Sequence, residues 1–194
     1  MNGTVHTLIG VTSSVAACIF FKDSIEFIPE SSYGLFVAAT MVGSTFPDLD
    51  LPGRPLGFLG HRKFTHTLTI PIITALLTGY VSTALTSLPI LCNSLIGLLS
   101  GFVWGYVLHI LADLFQSKGC PLLWPIIPHN IHIASIPVKY DMLCFAVYFA
   151  ALVAFIALRS GSNEVLGIVG ILAAVCLTVV KIRNKKRRRH GSRH

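Results

Sequence analysis

The chain has 194 residues, of which 53% are hydrophobic and only 12% are charged, and its mean hydropathy is +0.72. Soluble domains carry about 25% charged residues, so this composition excludes an ordinary water-soluble protein and indicates an integral membrane protein. The formal net charge of +7 is concentrated at the C-terminus, because residues 181–194 hold eight of the fifteen Lys and Arg residues and no acid.

Six apolar segments follow one another along the chain. They predict an all-α, polytopic membrane bundle of about six helices, although the second segment is short for a span of about 20 residues. The segments are 5–21, 33–46, 65–87, 89–113, 141–158 and 164–182. We expect three parts: a membrane-embedded core (1–140) that carries the functional site, two C-terminal transmembrane helices (141–182) and a basic cytoplasmic tail (183–194).

The distribution of Lys and Arg predicts the topology. The basic tail places the C-terminus in the cytoplasm, and six spans then place the N-terminus there too. The inside loops would hold Arg54, Arg62, Lys63, Lys118 and Lys139, and the outside loops only Lys22 and Arg159. This excess of positive charge inside supports the orientation independently of the tail and predicts a multi-pass protein of the inner (plasma) membrane.

Four polar motifs interrupt the apolar chain, and the predicted topology brings all of them to the cytoplasmic end of the bundle. In chain order they are His6, the "PDLD" of residues 47–50, the "HRKFTH" of residues 61–66 and the "HILAD" of residues 109–113. Each has a structural interpretation when taken alone: an interfacial histidine, a helix stop, a positive-inside cluster with a cap at Thr65, and a His–Asp hydrogen bond. Their predicted convergence favours a site.

The fourth motif is the most informative. His109 and Asp113 stand four residues apart and therefore share one face of a helix. The eighteen residues before His109 carry no charge. Ionisable side chains this close to the hydrocarbon are costly and indicate function with a partner, and His with a carboxylate at this spacing forms half of a metal site.

The motifs together offer four imidazoles, three carboxylates and no thiolate. This donor set suits zinc, manganese or iron, and it exceeds what a single tetrahedral zinc ion needs, so a two-metal cluster would use it more fully. The candidate ligands are His6, Asp48, Asp50, His61, His66, His109 and Asp113.

The order of these motifs resembles that of the YdjM family of membrane-bound, metal-dependent hydrolases, which are predicted enzymes of the bacterial or archaeal inner membrane. The family pattern reads "THxxxG", "PDxD", "HRxxTHS", "HxxxD" and "GxxLLWP". Here the corresponding stretches are "VHTLIG" (5–10), "PDLD" (47–50), "HRKFTHT" (61–67), "HILAD" (109–113) and "GCPLLWP" (119–125). Val5 and Thr67 depart from the usual Thr and Ser, and neither change removes a candidate ligand.

The family is distantly similar to zinc-dependent phospholipase C, so the resemblance implies hydrolysis of a phosphoester such as a phospholipid at the cytoplasmic membrane face. It implies one or two divalent ions, with zinc favoured, and a water molecule activated by the metal. Asp50 would be a ligand or the general base, in a role exchangeable with that of Asp48. Arg62, assisted by Lys63, would bind the substrate phosphate.

Other interpretations remain open. The chain could be a non-enzymatic metal-binding transporter or a structural membrane protein, although a transporter would place polar groups near the bilayer midplane. The tail predicts binding to anionic lipid, and nucleic-acid binding is not expected. The apolar loop 121–137 could be a lipid-facing lid, in which His129 and His132 are expected to be interfacial rather than ligands.

Overall fold

The protein is described by a computed structural model. It describes residues 3–20, 25–50, 55, 64–127, 129–134, 136–137 and 140–160. The chain divides into two compact units, 1–139 and 140–194. The second unit is described through a single helix, and the candidate ligands all belong to the first.

Five α-helices make up most of the described chain: α1 (Gly3–Phe20), α2 (Tyr33–Thr45), α3 (Thr69–Ala84), α4 (Pro89–Leu114) and α5 (Asp141–Ser160). Short 3-10 helices precede and follow α2, at Glu30–Ser32 and Phe46–Asp50. In the part of the chain that the structure describes, extended pairing is limited to two isolated bridges. The all-α prediction is confirmed for these residues.

The lengths of the helices bear on the predicted spans. At about 1.5 Å per residue, α4 is roughly 39 Å long and exceeds the hydrocarbon core of a bilayer. Its 26 residues include an 18-residue window with a mean hydropathy of 1.9, and it is the one described helix that is long and apolar enough to cross a membrane by itself. The helices α1, α3 and α5 are shorter but apolar. The six spans and the cytoplasmic termini therefore stay predictions, and segment 164–182 lies outside the described residues.

The third helix begins four residues later than the predicted segment. The Thr65 hydroxyl donates to the carboxylate of Asp50, and the backbone N–H of Leu68 donates to the carbonyl of Leu122 rather than to a carbonyl of its own turn. Residues 64–68 consequently form a non-helical turn before α3.

Hydroxyl groups of the apolar helix α1 are satisfied locally. In α1 the side chains of Thr7 and Thr12 donate to carbonyls four residues earlier, and those of Ser13 and Ser14 to carbonyls three residues earlier. Ser13 also accepts a 3.2 Å hydrogen bond from Trp104 Nε1, which ties α1 to α4. These bonds let polar residues lie within apolar surroundings without an unpaired donor.

The core of the first unit is a close, parallel pairing of α2 with α4. A Cβ atom added at Gly101 would lie 2.2 Å from the carbonyl oxygen of Phe36, and one added at Gly105 would lie 2.2 Å from that of Thr40. Glycine is therefore required at these positions, because the two backbones touch there. The contacts join residues 65 apart in sequence. The pairs are Ser32 with Gly97, Phe36 with Gly101, Thr40 with Gly105 and Ser44 with His109.

The first helix runs antiparallel to this pair. Its Gly3 lies beside the carboxylate of Asp48, and its Gly10 lies beside Ser44 and Thr40. The start of α1 therefore meets the ends of α2 and α4, which brings His6 to the same end of the bundle as His109 and Asp113.

The third helix covers α4 more loosely. Val81, Cys92 and Ile96 form an apolar cluster where the two helices join. Further along, an apolar cavity of about 560 Å³ opens between α3 and α4. Its walls include Gly79, Ser100 and Trp104, and none of the candidate ligands that the structure describes lines it.

The loop after α4 folds back over the end of that helix. Cys120 and Ile131 exchange backbone hydrogen bonds of 2.9 and 2.8 Å, and Ile133 N donates to the carbonyl of Leu114 at 2.7 Å. The loop also accepts a bond from Leu68 N through the carbonyl of Leu122. The turn that carries His66 is thereby attached to the loop.

Candidate metal centre

On α2 and α4, the residues that face one another recur every four positions, and several candidate ligands lie at the ends of these two stripes. On α4 the stripe Gly97–Gly101–Gly105 repeats every four residues, and the same spacing leads to His109 and then Asp113. On α2 the corresponding stripe reaches Ser44 and then Asp48, in the 3-10 helix that follows. The glycines hold the two backbones together, so the polar ends of the stripes meet.

Asp113 lies at the centre of the site. Its Oδ1 is 3.2 Å from His6 Nε2, and its Oδ2 is 3.6 Å from His66 Nε2 and 3.9 Å from His109 Nε2. The rings of His6 and His109 stack with their centroids 3.7 Å apart, and the ring of His66 stands edge-on to His109 at 5.3 Å. Three imidazoles from three separate elements therefore surround one carboxylate.

A backbone carbonyl orients His109. Its Nδ1 is 2.7 Å from the carbonyl oxygen of Ser44, and because a carbonyl only accepts, Nδ1 carries the hydrogen. The other nitrogen, Nε2, is then left with its lone pair directed towards Asp48 and Asp113, 3.9 Å from each. A hydrogen bond of this kind is the usual way in which a protein selects the tautomer of a metal-ligating histidine.

The donor atoms fit a divalent ion. For an ion with four ligands at about 2.0–2.1 Å, tetrahedral geometry places neighbouring donor atoms roughly 3.3–3.4 Å apart. The separations of 3.2, 3.6 and 3.9 Å around Asp113 are close to this value. Buried nitrogens without a well-aligned hydrogen bond include the Nε2 atoms of His109 and His6, both of which face the cluster, and nitrogens left in this way are the pattern expected of lone pairs placed to coordinate a cation.

Two groups of donors in the described residues could hold a metal ion. Within each group the donor atoms lie within 4.8 Å of one another. The groups are His6, Asp48 and His109, and His66, His109 and Asp113. Both use His109, which has a single nitrogen to offer because Nδ1 is bonded to Ser44. If two ions bind, one of them must bind without His109.

The two aspartates of the "PDLD" motif have different surroundings. Asp50 is fully buried, accepts a hydrogen bond from Thr65 Oγ1, and has its Oδ2 3.5 Å from His66 Nδ1, on the side of that ring away from Asp113. Asp48 faces His109 Nε2, and its side chain is 16% exposed. The sequence left their roles exchangeable, whereas the structure distinguishes a buried carboxylate behind His66 from an accessible one beside His109.

The structure thus brings together five of the seven candidate ligands, namely His6, Asp48, His66, His109 and Asp113, with Asp50 directly behind His66. The predictions of His61 as a ligand and of Arg62 and Lys63 at the substrate phosphate concern residues outside those that the structure describes. His129 and His132, expected to be interfacial, are exposed on the loop after α4.

Three groups that shape the site were not singled out from the sequence. They are the carbonyl of Ser44, the hydroxyl of Thr65 and the hydroxyl of Tyr106, which donates to the backbone carbonyl of Thr65. A backbone carbonyl leaves no trace in a sequence. The four-residue repeat of glycines that runs into His109 was, by contrast, a readable signal that the polar end of α4 would meet another helix.

Comparison with known proteins agrees with the motif pattern. The family model described as YdjM inner membrane protein matches residues 1–186. Proteins named inner membrane protein YdjM from Escherichia coli K12 and from Shigella flexneri are each 32% identical over 124 residues, covering 56% of this chain. The match spans 60% of the length of these relatives, and no solved structure matches the chain. The predicted resemblance is confirmed: the chain belongs to the YdjM family of inner membrane proteins.

Proposed function

We propose that this protein is a membrane-bound, metal-dependent hydrolase that acts on a phosphoester, such as a phospholipid, at the cytoplasmic face of the membrane. The observation that carries the proposal is the gathering of three buried imidazoles and Asp113, from α1, α4 and the turn before α3, at one end of the bundle. Burying this many ionisable groups without a cation is costly, since each must lose its hydration.

Zinc is the ion that the donor set favours. His Nε2 and carboxylate oxygen are its common ligands, and a catalytic zinc site keeps one position open for water or substrate. His66, His109 and Asp113 would hold the ion and leave a fourth position for water, with His6 beside Asp113. Because His109 offers one nitrogen, any second ion would have to use His6 and Asp48 without His109.

A bound divalent ion would supply Lewis acidity and lower the pKa of a water molecule. The residues of the chain would hold that water and receive its proton. Asp48 is better suited to the proton-accepting role than Asp50, because it is partly exposed and lies on the donor side of His109, whereas Asp50 is buried behind His66. Asp50 would instead orient the His66 ring.

Recognition of the substrate falls to groups near the site. The planar guanidinium of Arg62 is suited to two-point binding of a phosphate, and Lys63 would add charge. Both lie in the motif that ends at His66. A lipid substrate is supported by the family's inner-membrane location and by the apolar side chains that the loop after α4 exposes, among them Ile126 and Ile133.

The first experiment compares full-length wild-type protein, purified in detergent, with His109→Ala and His132→Ala. Elemental analysis should find about one zinc ion per chain in the wild type, with loss in His109→Ala and retention in His132→Ala, since His132 is exposed on the loop. Hydrolysis of phospholipid in mixed micelles and of a soluble phosphodiester should follow metal content. Folded His109→Ala protein that retains metal and activity would overturn the proposal.

The same assay separates the alternatives. A wild-type protein that holds stoichiometric metal but hydrolyses neither substrate would favour a metal-binding transporter or a structural protein. Activity on the soluble diester alone would support the hydrolase but exclude phospholipid as its substrate.

A further inference from the structure

Of the three imidazoles, His66 is held by the least regular backbone. His6 and His109 belong to α1 and α4, whereas His66 lies in the turn of residues 64–68. A ligand on a turn has no helical ladder to set the direction of its side chain, so other contacts must do so.

We propose that Thr65 and Tyr106 are positioning residues that hold His66 in the orientation and tautomer needed to bind the metal. This inference rests on the metal site of the proposed function. It concerns two residues that offer no donor atom to the metal and, by the proposal, do not contact the substrate.

The hydroxyl of Thr65 lies between the Asp50 carboxylate and the His66 ring. It has one hydrogen, which it donates to Asp50 Oδ2. Its oxygen, 3.2 Å from His66 Nδ1, is then free to accept. Asp50 Oδ2 is also within 3.5 Å of Nδ1. Two acceptors beside Nδ1 require that this nitrogen carry the hydrogen, which leaves Nε2, 3.6 Å from Asp113 Oδ2, with its lone pair facing the metal position.

Tyr106 fixes the backbone of the same turn. Its side chain is fully buried, and its hydroxyl donates to the carbonyl of Thr65. Tyr106 lies on α4, three residues before His109 and thus close to it on the same side of the helix. One helix therefore carries two ligands and also the group that anchors the turn bearing a third.

Thr67 provides a matched control. It is another buried threonine of the same turn, but among the described residues its hydroxyl bonds within the turn, to the carbonyl of Phe64. Thr65→Val and Thr67→Val remove the same atom at positions of similar burial. If removing any buried hydroxyl of this turn lowered metal affinity, both variants would show the loss.

The test is titration of Co²⁺ into metal-stripped, full-length protein in detergent, followed by the ligand-field absorption of the ion. We expect Thr65→Val to weaken Co²⁺ affinity by about 10- to 100-fold. Thr65→Ser should restore affinity to within a few-fold of wild type, and Thr67→Val should match wild type. Tyr106→Phe, which removes only the hydroxyl, should weaken affinity in the same direction and serves as the comparison if Thr65→Val does not fold.

The outcomes separate this inference from the proposed function. Wild-type affinity in Thr65→Val or, failing its folding, in Tyr106→Phe would overturn the positioning role alone. An equal loss in Thr67→Val would overturn it too. The expected pattern of affinities in a protein that hydrolyses nothing would support the positioning role and overturn the hydrolase, whereas a wild type that binds no Co²⁺ would overturn both.

Discussion

Helix α4 packs closely against α2 and loosely against α3. Towards α2 it presents Gly97, Gly101 and Gly105, and the backbones touch. Towards α3 it presents larger side chains such as Ile96, and a cavity of about 560 Å³ lies between the two helices. The first side ends in the candidate metal centre, and the second contributes none of its ligands.

This contrast shows what close helix packing accomplishes in this protein. A carbonyl reaches a side chain on another helix only when the two backbones are near one another. Without the glycines, the Ser44 carbonyl could not lie 2.7 Å from His109 Nδ1. The α3 side needs no such contact, and looser packing is tolerated there.

The largest effect is expected from adding one methyl group at the contact of α4 with α2 and, for comparison, one at its contact with α3. In Gly105→Ala the new Cβ would lie 2.2 Å from the Thr40 carbonyl oxygen, so α2 and α4 must separate. We expect a loss of about 3 kcal/mol in the free energy of unfolding, at the upper end of overpacking costs, and a loss of metal because Ser44 moves away from His109. Denaturation in mixed micelles and elemental analysis measure the two effects.

The matched change on the other side is Gly79→Ala. A Cβ at Gly79 meets nothing within 4 Å, so stability should stay within about 0.5 kcal/mol and metal content should be unchanged. Equal destabilisation by the two variants would contradict the difference between the sides.

A smaller effect is expected at the end of the α2 stripe. Asp48→Asn preserves size but removes the proton-accepting carboxylate beside His109, so kcat should fall by about 100-fold if Asp48 is the general base. Metal content should remain near that of the wild type. Loss of the metal together with activity would instead identify Asp48 as a ligand. An unchanged kcat would show that Asp48 is neither the general base nor a required ligand.

The smallest effect is expected at Ser100, on the cavity side. Its side chain is only 9% exposed, and its Oγ makes no hydrogen bond in the described part of the chain. Replacing an unsatisfied buried hydroxyl by a methyl group is nearly neutral or stabilising. Ser100→Ala should therefore leave the free energy of unfolding unchanged or raise it by up to about 1 kcal/mol, measured by the same denaturation. A clear destabilisation would show that the hydroxyl has a partner.

Local patterns accounted for much of the fold. The apolar segments correspond to α1, α2, α4 and α5 within a few residues, because an apolar run of this length has few alternatives to a helix in a membrane. The start of α3 was placed too early, since apolarity does not reveal that the Thr65 hydroxyl bonds to Asp50 and the Leu68 N–H to the loop after α4.

For the site, residue types and spacing were enough to select the candidate ligands but not to assign a role to each of them. The sequence could not distinguish Asp48 from Asp50, because both belong to one short motif. The difference arises from the 3-10 helix at Phe46–Asp50, which turns one carboxylate towards His109 and the other behind His66.

The sequence by itself determined the membrane character, the helical class, the family and the residues able to bind a cation. These follow from composition and from chemistry carried by single side chains. Only the tertiary structure decided which nitrogen of His109 faces the cluster, which aspartate stays accessible, and how Thr65 and Tyr106 reach His66. Such features depend on distances between groups far apart in the chain, and here those distances are set by how closely α2 and α4 approach.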